Sequence, residues 1–141
     1  MKEYLSHSEE DTYAAAYDIC SGITPGTVIA FTGGMGMGKT AFVRGALKAF
    51  HNPSFVSSPT FSLVHDYGGE PHIYHFDMYR VTNEDDCYST GFFDYLTDDS
   101  ILFIEWSENI AFALPENTVF VDIRKGEKEN DRIISVHGGA F

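Results

Sequence analysis

The spacing of apolar residues in the first third of the chain predicts a helix, a strand and a second helix, in that order. Residues 27–32 form an apolar, β-branched run that is typical of a buried strand. Apolar residues at helical spacing predict a helix over residues 8–21 before this run and another over residues 40–50 after it. Ser6 and Glu9 have the spacing of a capping box, which predicts that they begin the first helix.

The rest of the chain is dominated by predicted strands. They lie at residues 61–67, 72–76, 101–104, 118–124 and 132–137. The first two and the last two are joined by short polar segments, and we expect each pair to form an antiparallel hairpin, because a parallel pair needs a longer crossover. Residues 101–104 are apolar throughout, as in a strand that is covered on both faces. Residues 83–95 are predicted to be helical at first and then irregular.

These elements predict the α/β fold class. We expect a single domain over residues 1–141, with a three-layer α/β/α arrangement, a mixed sheet and antiparallel hairpins.

Residues 33–40 read Gly-Gly-Met-Gly-Met-Gly-Lys-Thr and match the phosphate-binding pattern G-x-x-x-x-G-K-S/T. A glycine-rich turn that merely joins two elements is the alternative, but the motif lies between a predicted strand and a predicted helix, as a P-loop requires. Glycines let the main chain wrap around an anion, Lys39 can reach the β- and γ-phosphates, and the Thr40 hydroxyl can ligate Mg²⁺. The motif therefore predicts a nucleoside triphosphate site, and the chain has no Asn-Lys-x-Asp sequence for guanine, which favours ATP.

A second group of candidates follows the predicted strands. Glu105 and Asp77 each come after an apolar strand, where a carboxylate can hold Mg²⁺ directly or through water. Glu105 can instead be a surface residue, and Asp77 a turn or cap residue. Asp77 shares a strand face with His75, which makes metal ligation by that pair conceivable, although a zinc site usually needs more ligands. Trp106 can serve either in packing or as a gate that responds to the nucleotide.

Composition narrows the possible partners. The formal net charge is −12, from 9 basic and 21 acidic residues, so we expect no strong direct binding of nucleic acid. The chain has no apolar stretch of about 20 residues and begins with a polar segment, so we expect a cytoplasmic protein without membrane contact. A small-molecule kinase remains an alternative, although few basic residues are present to hold an anionic second substrate. A nucleotide-dependent switch that binds ATP without turnover is a second alternative.

Four segments in order resemble the TsaE family of bacterial P-loop ATPases, which are required for threonylcarbamoyladenosine (t6A) in tRNA. They are residues 33–40, the Ser-Pro-Thr-Phe of residues 58–61, the His-Phe-Asp-Met-Tyr-Arg of residues 75–80 and the Ile-Glu-Trp of residues 104–106. The resemblance implies an Mg²⁺-dependent ATPase that is slow alone and acts with the TsaD and TsaB proteins. Hydrolysis would support turnover of that complex without itself modifying tRNA.

The resemblance also implies a set of site residues. Lys39, Asp77 and Glu105 would be catalytic, and Thr40 and Glu105 would serve Mg²⁺. The nucleotide would be contacted by Glu9, Gly34, Met35, Gly36, Met37, Gly38, Lys39, Thr40, Ala41, Thr60, Trp106 and Arg132. Gly34, Met35, Met37 and Ala41 depart from the residues typical of the family, but the glycine-rich backbone that holds the anion is kept.

Overall fold

The computed structural model describes residues 1–32, 38–54 and 63–141. The strands are β1 Lys2–Ser6, β2 Thr27–Thr32, β3 Val64–Gly68, β4 His72–Asp77, β5 Ser100–Glu105, β6 Val119–Lys125 and β7 Arg132–His137. The helices are α1 Glu9–Cys20, α2 Lys39–Ala49 and α3 Glu84–Ser89, with 3-10 segments at Phe92–Tyr95 and Ser107–Ala113. None of the helices in the described ranges has the length and apolar character needed to span a bilayer.

All seven strands belong to one mixed sheet in the order β1-β7-β6-β2-β5-β4-β3. The four central strands, β6, β2, β5 and β4, run parallel, whereas β3 pairs antiparallel with β4 and β7 pairs antiparallel with both β6 and β1. The two predicted hairpins and the α/β fold class are therefore confirmed. The carboxyl ends of the parallel strands meet at one edge of the sheet, which is where ligands bind in open α/β folds.

Two apolar cores cover the two faces of the sheet and give the predicted three layers. Helices α1 and α2 pack on one face, while α3 and the two 3-10 segments cover the other. Strand β5 contributes to both, because Ile101 and Phe103 enter the α1/α2 core and Leu102 and Ile104 enter the opposite one. The uninterrupted apolar run of this strand was thus predicted correctly as doubly covered.

The start of the chain differs from the prediction in two respects. The N-cap of α1 is Ser8, whose hydroxyl accepts a hydrogen bond from the amide of Asp11 at 3.1 Å, so the capping box predicted at Ser6 and Glu9 is wrong. Ser6 instead ends strand β1, and its hydroxyl lies 2.7 Å from that of Thr12. Strand β1 was not predicted, because it is an edge strand with mostly exposed side chains that is held to β7 by backbone pairing.

Candidate nucleotide-binding site

The amino end of α2 has the features of an anion-binding site. Its N-cap, Gly38, has φ 105° and ψ 18°, a left-handed conformation that favours glycine over any residue with a side chain. Within the described ranges, no side chain caps this helix end and its first turn has no acidic residue, whereas α1 begins with a serine cap and three acidic residues. The amide groups and positive dipole end of α2 therefore favour an anionic ligand.

Lys39 is buried at this helix end, with 6% of its surface exposed. Its Nζ lies 5.9 Å from the centre of the Trp106 ring, which in turn packs edge-on against Tyr79 at 5.0 Å. Trp106 adopts φ 58° and ψ 41°, a left-handed conformation that costs a residue with a side chain roughly 1–2 kcal/mol. Backbone strain of this kind concentrates at functional sites, and here it places an aromatic ring beside the motif lysine.

Asp77 and Glu105 lie side by side at the carboxyl ends of β4 and β5. They are direct partners in the strand register, and the amide of Met78 donates to the carbonyl of Glu105 at 3.0 Å. One oxygen of Asp77 accepts a hydrogen bond from the amide of Tyr79 at 3.0 Å, so this residue does take part in a turn. Both carboxylates are half-buried and both belong to the strand edge where α2 begins.

Glu105 extends from β5 on the face of the sheet that α2 covers, because it lies two residues after Phe103. Its Oε2 is 2.7 Å from Nε2 of the fully buried His75, but the contact is too bent for a well-formed hydrogen bond. Neither atom has another hydrogen-bond partner within the described ranges. A carboxylate at this strand edge is suited to a cation, because Mg²⁺ takes one or two carboxylates together with phosphate oxygens.

A cavity of about 420 Å³ lies beside Gly38. It is lined by His7, Ser8, Glu9, Glu10, Thr12, Gly38, Ala41, Asn130 and Arg132. The guanidinium of Arg132 donates to the carbonyls of Glu129 and Asp131 at 2.8 and 2.9 Å, which holds the side chain at the rim. The volume is within the range of about 300–1,000 Å³ that small-molecule sites occupy.

A histidine and an aspartate form a pair at the edge of this cavity. His7 Nδ1 lies 2.7 Å from a carboxylate oxygen of Asp131. The hydrogen bond to Asp131 raises the pKa of His7 above its usual 6.5, and the same hydrogen bond lowers the pKa of Asp131 below 3.8. The pair joins the start of α1 to the loop between β6 and β7.

The structure brings the predicted site residues together in two neighbouring groups. Lys39, Thr40, Asp77, Glu105 and Trp106 lie at the amino end of α2 and the ends of β4 and β5. Glu9, Gly38, Ala41 and Arg132 line the adjoining cavity. Gly34, Met35, Gly36, Met37 and Thr60 lie outside the described residues, as does the Ser-Pro-Thr-Phe segment. No group of three or more His, Cys, Asp or Glu side chains suited to hold a metal ion by themselves occurs within the described ranges.

Sequence reasoning missed two contributors. His75 on β4 contacts Glu105 on the neighbouring strand β5, whereas the sequence suggested only that His75 shares a strand face with Asp77. Tyr67 on β3 places its hydroxyl 3.1 Å from the other ring nitrogen of His75. Strand pairing could have suggested these neighbours, but the contacts depend on side-chain directions that no motif records.

The fold and the motif together define the class of protein. Parallel strands end beside a helix that begins at a glycine-rich G-K-T sequence, and an acidic residue follows the neighbouring strand, as in P-loop NTPases. The family model described as "Threonylcarbamoyl adenosine biosynthesis protein TsaE" matches residues 6–134. The chain belongs to the TsaE family, whose role is in the biosynthesis of threonylcarbamoyladenosine in tRNA.

Individual relatives agree with this assignment. The chain is similar to proteins named "tRNA threonylcarbamoyladenosine biosynthesis protein TsaE" from three bacteria. The identity is 40% for Aquifex aeolicus, over 77% of this chain and 78% of the relative. It is 32% for Treponema pallidum, over 85% and 89%, and 39% for Haemophilus influenzae, over 68% of this chain and 61% of that longer relative.

A solved structure supports the fold. The crystal structure of YdiB from Bacillus subtilis superimposes with a TM-score of 0.73 over 97% of this chain and 84% of that chain. Since the sequences are 24% identical, this likeness bears on the fold alone.

Proposed function

We propose that this protein is an Mg²⁺-dependent ATPase whose hydrolysis supports a TsaD–TsaB complex in the t6A modification of tRNA. The observation that carries the proposal is the arrangement at one sheet edge. The amino end of α2, which no side chain of the described residues caps, and the buried Lys39 lie beside two carboxylates, Asp77 and Glu105, which end adjacent parallel strands. Positive groups for a triphosphate and acidic groups for a metal and water thus occupy the same place.

Each residue has a defined task in this proposal. Lys39 and the amide groups at the start of α2 bind the phosphates and stabilise the charge that develops as water attacks the γ-phosphate in line. Thr40 and Glu105 would hold Mg²⁺, which when bound neutralises phosphate charge. Asp77 or Glu105 orients the attacking water, and the turn contact of Asp77 with the Tyr79 amide fixes the direction of its carboxylate.

The cavity beside Gly38 is the proposed place for the nucleoside. It adjoins the helix end that would hold the phosphates, and Ala41 forms part of its wall. Glu9 and Thr12 of α1 offer polar contacts, while Arg132 is held at the rim by two carbonyls. Its position supports the inference that base and sugar lie between α1 and the loop before β7.

Charge and family membership support the proposed partners. With 21 acidic and 9 basic residues, the chain has little basic surface for binding tRNA, so the proposal assigns the RNA to the partner complex. An acidic surface is complementary to basic regions of a protein partner. We place this activity in the cytoplasm, where tRNA is modified.

The proposal is tested by measuring phosphate release from ATP and Mg²⁺ with two lysine variants of the same helix. Lys39→Ala removes the buried ammonium group, and we expect it to lower the turnover rate by about 100-fold or more. Lys48→Ala is the matched control, because Lys48 is exposed near the other end of α2, with its Nζ 5.8 Å from the Tyr13 ring. It should leave turnover unchanged. Full ATP turnover by Lys39→Ala would show that the site is assigned wrongly.

The fate of the γ-phosphate separates the ATPase from the alternatives. Label from the γ-position should appear as free phosphate. Label that remains in bound ATP through repeated cycles of partner binding would identify a nucleotide-dependent switch without turnover. Label that appears on a metabolite would identify a small-molecule kinase. Either of these two results would contradict the proposal.

A further inference from the structure

His75 is a fully buried histidine that contacts a candidate catalytic carboxylate. It lies on β4, and its Nε2 is 2.7 Å from Oε2 of Glu105, whose side chain is 15% exposed. The ring is confined by Phe103 of the neighbouring strand, with ring centres 6.3 Å apart in an edge-on arrangement. A buried polar ring in such a place needs partners on both nitrogens, since an unpaired buried polar group is costly.

The second ring nitrogen of His75 contacts a tyrosine, and the roles of donor and acceptor in this contact depend on the tautomer of His75. The hydroxyl of Tyr67 lies 3.1 Å from Nδ1. Burial, and to a lesser extent the charge of Glu105, raises the pKa of Tyr67 to about 12, so the phenol keeps its proton and can donate it in a hydrogen bond. When Tyr67 donates to Nδ1, the ring proton is on Nε2 and faces Glu105, because the partner of one nitrogen sets the state of the other.

The bent approach of Nε2 to Glu105 fits a carboxylate that still has to align. Glu105 has a main chain fixed by its register with Asp77, but its side chain has three rotatable bonds. Contacts of catalytic groups are often poorly aligned without ligand and tighten when it binds. If Nε2 of His75 holds Oε2 of Glu105 in place, it also limits the directions in which the other oxygen, Oε1, can point toward the amino end of α2.

We propose that His75, held by Tyr67, is a positioning residue that orients the Glu105 carboxylate toward the Mg²⁺ and phosphate side of the nucleotide site. This inference rests on the proposed ATPase function and adds a residue to it. His75 itself would touch neither nucleotide nor metal. Outer contacts of this kind typically change metal affinity or activity by about 10–100-fold when they are removed.

Two substitutions of similar size test the role of the ring nitrogen that faces Glu105. His75→Gln places an amide donor near the position of Nε2, whereas His75→Asn reaches only the position of Nδ1. We expect His75→Asn to lower kcat by about 10-fold or more with little change in the KM for ATP, and His75→Gln to restore most of kcat. Equal kcat values for the two variants, or wild-type kcat in His75→Asn, would overturn the inference.

Two control variants exclude general damage to the strand. His72→Ala removes another histidine of β4, one that pairs with Asp66 on the exposed side, and should leave kcat unchanged. Ile73→Val removes a methylene group from the buried core of the same strand and should lower the melting temperature without lowering kcat. A fall in kcat in Ile73→Val that matches that of His75→Asn would show that loss of packing explains the effect.

A binding measurement gives a readout that does not depend on turnover. Calorimetry of ADP binding is done with EDTA and again with Mg²⁺ for the wild type and His75→Asn. We expect equal affinities in EDTA and a smaller gain from Mg²⁺ in the variant. An equal gain from Mg²⁺ would contradict the role in positioning Glu105. If the wild type itself binds ADP but releases no phosphate from ATP, the proposed ATPase fails instead, and the two failures are thus distinguished.

Discussion

Replacing Gly45 with alanine would bring a methyl group into the main chain of α1. Gly45 lies in the middle of α2 where this helix crosses α1, and an added Cβ would be 2.5 Å from the Tyr13 carbonyl oxygen and 2.7 Å from its Cα. Carbon atoms prefer separations of about 3.5–4.0 Å, so the two helices would have to move apart by about 1 Å. The added Cβ would clash with main-chain atoms of Tyr13, so no change of side-chain rotamer relieves the clash.

The sign of this effect follows from two opposing magnitudes. Alanine is favoured over glycine within a helix by about 1 kcal/mol. Overpacking costs about 1–3 kcal/mol, and a clash with main chain belongs at the upper end. We therefore expect Gly45→Ala to destabilise the protein by roughly 2 kcal/mol, which lowers the melting temperature by about 7 °C for a chain of this size.

Thermal unfolding followed by circular dichroism tests this expectation. Gly22→Ala is the matched control, because the nearest atom to its added Cβ is a carbonyl oxygen at 3.9 Å. We expect its melting temperature to change by less than about 2 °C, as for most surface substitutions. A Gly45→Ala variant as stable as the wild type, or more so, would refute the close packing of α1 on α2. Glu9 lies at the start of α1 and lines the cavity, so a shift of α1 would displace it. We therefore expect the affinity for nucleotide to fall in Gly45→Ala and to stay unchanged in Gly22→Ala.

Three further predictions concern single residues. The His7 imidazole should titrate above 6.5 by NMR and return toward that value in Asp131→Asn. The ion pair of these two residues should stabilise the fold at pH values between the lowered pKa of Asp131 and the raised pKa of His7. This stabilisation should be lost as the pH rises through the pKa of His7 or falls through the pKa of Asp131. Cys20 is 1% exposed and burial raises its pKa, so a thiol reagent should label it only after unfolding, and rapid labelling of the native protein would contradict its burial. Asn52 is buried, and its side-chain amide donates hydrogen bonds to the carbonyls of Tyr67 and Gly68. Chemical denaturation should therefore show that Asn52→Ala is less stable than the wild type by about 1–3 kcal/mol. Unchanged stability would show that these hydrogen bonds contribute little.

Local patterns were sufficient to predict most of the fold. The apolar run of β5 indicated a doubly covered strand, and the short polar segment before His72 indicated a hairpin, because both signals depend on near neighbours in sequence. Strand β1 gave no such signal, since its side chains are mostly exposed and its pairing with β7 joins the two ends of the chain. The choice of Ser8 over Ser6 as the N-cap of α1 also depends on where β1 ends.

The residues of the candidate site also differ in how far the sequence alone could predict them. The phosphate-binding motif and the carboxylates that follow β4 and β5 could be recognised from the sequence, because parallel strands bring their carboxyl ends to one edge. Glu9 and Arg132 were assigned only through the family resemblance, and the structure places both on one cavity. The contact between His75 and Glu105 could not be derived, because it depends on the directions of two side chains on different strands.

The rate of phosphate release from ATP, with and without TsaD and TsaB, tests the central proposal most directly. The fluorescence of Trp106 can be followed in the same sample, because this is the only tryptophan in the chain and its ring lies beside Lys39. We expect slow release by the protein alone, stimulation by the partner pair, and a fluorescence change when ATP binds. ATP that binds and changes the fluorescence but stays intact in the presence of both partners would contradict the proposed ATPase.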